Sequence, residues 1–103
     1  MQLHSVVQAL DSIWPLSDKE DWDRPGLMLG RGDQQVAKIL LSVDVTAEVI
    51  AQAIEVGADL IISHHPMFLR GVHDLAESSF RGATAALAIR NDIAIYFSIP
   101  SWI

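Results

Sequence analysis

The sequence predicts an α/β domain built on a largely parallel sheet, with βαβ units and flanking helices. Three observations carry that prediction. Between residues 37 and 97, short apolar runs alternate with helical patterns in the order strand, helix, strand, helix, strand. The run "AKILLSVDV" is apolar nearly throughout and rich in branched residues, the pattern of a strand buried on both faces of a parallel sheet. Each intervening helical pattern has its own start and stop signals.

The elements follow in order. In "LHSVVQALDSIWPL", Leu3, Val6, Val7, Leu10 and Ile13 or Trp14 recur at helical spacing and form one apolar stripe. Pro15 lacks the N–H that a helix interior needs, so the helix should stop near Trp14. "SDKEDWDRPG" is polar and turn-rich, hence a loop, and "LMLG" is a short strand candidate. The strand over residues 37–45 leads into "TAEVIAQAIEVGAD". There Thr46 is the expected N-cap, Glu48 sits by the positive helix end, and Gly57 is the natural stop. Val49, Ile50, Ala53, Ile54 and Val56 form its apolar face. "DLIIS" is the next strand. "SSFRGATAALAIRND" is a helix capped by Ser78 or Ser79 and ended at Asn91, and "IAIYF" is the last strand, with Tyr96 and Phe97 in the core.

Size and composition bound the function. With 103 residues the chain is expected to be a single domain, 1–103, with one core. No apolar run approaches the roughly 18–20 residues that span a membrane, and the N-terminus lacks the pattern of a secretory signal. A cytoplasmic protein is the expectation. The formal net charge of −6 and the scattered basic residues disfavour nucleic acid as a partner. With no cysteine, His, Asp and Glu are the strong metal ligands left.

In open α/β sheets ligands bind beyond the carboxyl ends of the strands. Asp44 ends one predicted strand, and Ser63, His64 and His65 end the next, so both groups fall on the same sheet edge. Imidazole is a common ligand for zinc, iron and nickel. Neighbouring side chains on a straight strand point to opposite faces. Two ions could therefore take one histidine each, or a turn starting at Pro66 could fold both toward one site. Asp44 is either a ligand, an acceptor orienting a ligating histidine, or a loop acid at the start of the Thr46 helix. His73 sits in a loop, His4 on the first helix surface, and Trp22 and Pro25 in an anchored loop. No phosphate-binding glycine loop, H-E-x-x-H or nucleophile elbow is present.

"DWDRPGLMLG", "ILLSVDVTAEVIAQAIEVGADLIISHHPMFLRGV" and "NDIAIY", in that order and spacing, resemble the N-terminal part of the NIF3-like family, also called GTP cyclohydrolase 1 type 2 homologs. The resemblance extends to Tyr96, and the segment around "GADLIISHHP" is its most specific part. It implies a partial NIF3-like domain and a dinuclear divalent-metal centre (zinc, iron, manganese or nickel) in proteins that assemble as homohexamers. It places metal ligation on His64 and His65, each for a different ion, with Asp44 a possible orienting residue. It also implies a metal-dependent hydrolase acting on a small molecule or nucleotide such as GTP.

Two departures modify that expectation. The family's last strand is followed by a segment of the type H-T-x-x-D, whose positions here fall on Ile99 and Ile103. Neither side chain can bind a metal. Family members also continue into a second half that supplies further ligands. The chain is therefore expected to be a fragment or an altered product. It should bind metal weakly or only with a partner chain, show little or no activity, and leave a sheet edge exposed. The alternative is a non-catalytic interaction module in which the histidines or a metal stabilise an oligomer.

Overall fold

The computed structural model describes residues 1–13, 26–65 and 74–98. In chain order its elements are α1 (Leu3–Ile13), β1 (Gly26–Leu29), β2 (Ile39–Ser42), α2 (Ala47–Val56), β3 (Leu60–Ser63), α3 (Phe80–Arg90) and β4 (Ala94–Phe97). The four described strands form a sheet in the order β1-β4-β3-β2. β3 pairs in parallel with both β2 and β4, while β1 runs antiparallel to β4. The α/β class and the largely parallel sheet follow the alternation in the sequence. The antiparallel β1 does not, because strand order depends on pairings distant in sequence.

Alternation along β3 and β4 feeds two cores on opposite faces of the sheet. On one face Leu60, Ile62, Ala94 and Tyr96 pack with Leu3, Val6 and Leu10 of α1 and with Val36. On the other, Ile61 and Ile95 pack with Ile50 and Ala53 of α2 and Ala88 of α3. Leu60, Ile61 and Ser63 of β3 are wholly buried and Ile62 nearly so. Gly30, just past β1, has φ +139°, and a Cβ there would lie 2.6 Å from Leu3 and 2.9 Å from Ala94, so only glycine lets α1 seat this close.

The helices start where the capping residues indicate. Thr46 Oγ1 accepts from the Val49 N–H at 3.2 Å, a cap that contributes about 1 kcal/mol. Gly57 adopts the left-handed conformation that ends α2. Of the two serines that could cap α3, Ser79 does so, accepting from the Gly82 N–H. Ile54 and Val56 of α2 remain 39% and 43% exposed, so the helix buries a narrower stripe than its apolar residues suggest.

β2 departs from the expectation of burial on both faces. It is an edge strand of the described sheet, and Ile39, Leu41 and Val43 are 43%, 73% and 53% exposed. The cause is placement of the helices. α1 packs over β3 and β4 and leaves the odd-numbered face of β2 bare, whereas Leu40, on the other face, packs against the α2–α3 core. No helix among the described residues is long and apolar enough to cross a membrane.

Two tests follow from the packing. Alanine normally stabilises a helix over glycine by about 1 kcal/mol. At Gly82 a Cβ would drive into the Ala76 carbonyl, so Gly82→Ala should instead lower stability by about 1–3 kcal/mol in denaturant unfolding. The second concerns Tyr96, 1% exposed, whose hydroxyl donates to Asp11 at 2.6 Å. Burial first, then the bond to Asp11 and its charge, hold the phenol well above its ordinary pKa. The folded state favours the neutral phenol, so its contribution is complete below about pH 10 and lost as pH rises above that. Alkaline unfolding should begin there and be blunted in Tyr96→Phe, which should also be less stable at neutral pH.

Candidate metal centre

β2 and β3 are in register from Ile39 opposite Leu60 to Ser42 opposite Ser63, so both strands finish at one edge. That register brings the residues just beyond them together. Past Ser63 the chain bends. The His64 N–H donates to the Ser42 carbonyl at 3.1 Å and the His65 N–H to the Val43 carbonyl at 2.8 Å, which tie the bend to β2. On the other side, the Ser98 N–H donates to the Ser63 carbonyl at 3.0 Å and its hydroxyl to the same oxygen at 3.3 Å. The buried Ser63 hydroxyl donates to the His65 carbonyl at 2.7 Å. The histidines thus stand on backbone anchored from both neighbouring strands.

The side chains form two unlike environments. His65 Nδ1 lies 2.6 Å from Asp44 Oδ1. An ionised carboxylate only accepts, so the imidazole donates from Nδ1 and keeps its Nε2 lone pair free for a ligand. Both side chains are more than half exposed, so the pair orients the ring more than it stabilises the fold. His64 is less exposed. Its Nδ1 is buried and has no hydrogen-bond partner among the described residues. A buried polar atom without a partner costs about 1–3 kcal/mol, and a ligand accepted there would offset that cost.

The ring centroids of His64 and His65 are 5.1 Å apart, with planes tilted by 35°. That is too close for side chains directed to opposite faces of a straight strand. The bend after Ser63 has overridden strand alternation. A free Nε2, a second imidazole and a carboxylate behind it suit a divalent transition metal. The donor set is partial, because no group of three or more His, Asp or Glu side chains among the described residues is placed to hold an ion.

The structure therefore joins Asp44 to His65 and places His64 alongside. Asp44 accepts a hydrogen bond from His65, the contact an orienting acceptor would make. His4 is on the α1 surface, hydrogen-bonded to Gln2. Trp22, Pro25, Pro66, His73, Ile99 and Ile103 lie outside the described residues. Sequence reasoning missed the roles of Ser63 and Ser98. The available signal was a small polar residue closing each of two apolar runs, where a buried hydroxyl must find a backbone partner.

Comparison with known proteins adds a family. The model of the Duf34/NIF3 (NGG1p interacting factor 3) family matches residues 1–98. The GTP cyclohydrolase 1 type 2 homolog of Streptomyces coelicolor is 41% identical over 95 residues, which cover 92% of this chain and 33% of that protein. The protein of the same name from Clostridium perfringens is 36% identical over 102 residues, covering 99% of this chain and 39% of its own length. Among solved structures, a Bacillus cereus protein related to NIF3 superposes with a TM-score of 0.87 at 31% identity, over 96% of this chain and 27% of that one. The chain thus spans roughly a third of the length of these curated relatives.

The geometry predicts one tautomer. Nitrogen-15 NMR at a pH where His65 is neutral should show its proton on Nδ1. Asp44→Ala should move the ring toward the Nε2–H form that free imidazole side chains prefer. An unchanged tautomer in the variant would remove the orienting role of Asp44.

Proposed function

The chain belongs to the Duf34/NIF3 family, and on that premise we propose that it carries the amino-terminal share of a two-ion divalent metal centre in a metal-dependent hydrolase. His64 and His65 are its ligands, one to each ion, and Asp44 orients His65. The observation that supports this most directly is the 2.6 Å Asp44–His65 contact beside the unpartnered His64 Nδ1. A carboxylate that fixes the tautomer of a ligating histidine is the usual outer partner of a metal site.

A divalent ion at this edge would polarise a substrate oxygen and lower the pKa of a water so that it attacks near neutral pH. The protein's own part is positional. Asp44 holds the His65 ring, and the Ser63 and Ser98 hydrogen bonds hold the backbone from which both rings project. The relatives' name supports a nucleotide such as GTP as the substrate, opened or cleaved by water. The partial donor set supports weak metal affinity and little turnover for this chain by itself. The same partial set also favours the second reading, a non-catalytic module in which a metal only braces an assembly.

Calorimetric titration with zinc or manganese tests the site. His64→Ala and His65→Ala should each reduce binding, and Asp44→Asn should weaken it roughly 10–100-fold. Affinity indifferent to all three substitutions would sink the site. Release of product from GTP that depends on added metal separates the hydrolase from the module.

A further inference from the structure

The backbone hydrogen bonds record how the chain leaves the sheet at the end of β3. On a straight strand successive amides point to alternate sides. Ser63 obeys that rule, since its carbonyl turns toward β4 and accepts from the Ser98 N–H at 3.0 Å. The His64 N–H turns toward β2 and donates to the Ser42 carbonyl at 3.1 Å. Alternation would return the next amide toward β4. Instead the His65 N–H donates to the Val43 carbonyl at 2.8 Å, on the same side as its predecessor. Two consecutive amides on one side mark the bend that brings the His64 and His65 rings to 5.1 Å between centroids.

The bend also turns the His65 carbonyl back toward the strand, where the Ser63 hydroxyl donates to it at 2.7 Å. A serine bonded to nearby backbone offers the chain an alternative to the sheet ladder. Ser63 is wholly buried at the end of an otherwise apolar strand. A straight continuation would carry the His65 carbonyl away and deprive a buried hydroxyl of its partner. Ser98 acts differently, because both its donors go to the Ser63 carbonyl, which precedes the bend. We propose that Ser63 is the positioning residue of the histidine pair. Its hydroxyl, by holding the His65 carbonyl, fixes the bend that puts both imidazoles on one side, and so sets the affinity of the site for a divalent ion. The effect on metal affinity rests on the two-ion reading proposed above, whereas the effect on ring placement does not.

Ser63→Ala removes the hydroxyl and little volume. With no metal added, cross-relaxation between the His64 and His65 ring protons in NMR reports the bend. It should be clear in the wild-type chain and fall severalfold in Ser63→Ala. Calorimetric titration with zinc should show an affinity roughly tenfold lower in that variant, the low end of the loss caused by removing partners that orient a ligand. Tyr96→Phe is the control. It also deletes the bond of a buried hydroxyl, to Asp11, and should lower stability while leaving ring contacts and zinc affinity unchanged. Lost stability by itself therefore does not produce the expected pattern. Where Ser63→Ala fails to fold, Ser63→Cys keeps a similar volume with a weaker donor and should give smaller losses in both readouts. Ring contacts or zinc affinity that stay at the wild-type level in a folded Ser63 variant overturn the proposal, as does an equal loss in Tyr96→Phe. A wild-type chain that binds no zinc overturns the metal-centre reading instead, and the ring contacts then decide the role of Ser63.

Discussion

The burial of β3 on both faces is the constraint on which the rest depends. Leu60 and Ile62 face α1 while Ile61 faces α2 and α3, so the strand can exist only with both layers in place. Its neighbours must run parallel, since α2 and α3 each return the chain across the sheet before the next strand begins. Parallel strands share a carboxyl edge. Whatever follows β2 and β3 in sequence is therefore delivered to one place, and here that is Asp44 and the two histidines.

At that edge the apolar packing gives way to polar groups under tight hydrogen-bond control. Buried Ser63 and Ser98 join the ends of β3 and β4, and the carbonyls of Ser42 and Val43 hold the amides of His64 and His65. The rings themselves reach toward solvent on a fixed base. Ligand sites gain from such pre-arrangement, because a fixed imidazole loses less freedom when it binds. The Asp44–His65 pair spans 21 residues of sequence yet closes to 2.6 Å, a direct product of the β2–β3 register.

The same layering leaves its cost at β2. α1 is a single helix of 11 residues, and it covers the inner strands of its face. The strand at the margin keeps Ile39 and Leu41 exposed, as is Val43 just past its end. Site and edge are thus neighbours, since Asp44 belongs to the residues that close β2.

Much of this was legible in the sequence. Periodicity and caps located α1, α2, α3 and the parallel strands, because helix stripes and N-cap residues act over a few residues. The histidines and Asp44 were placed on one edge by strand direction alone, and the segment around "GADLIISHHP" pointed to the family. Tertiary structure decided the rest. Only the pairing of β1 with β4 makes β1 antiparallel, and only the reach of α1 makes β2 an edge with Leu41 exposed. Only the bend after Ser63 brings the His64 and His65 rings to one side and selects Asp44 as the partner of His65. Local patterns fix what a segment prefers to be. Which face it buries and which side chains meet depend on neighbours that fold in from elsewhere in the chain.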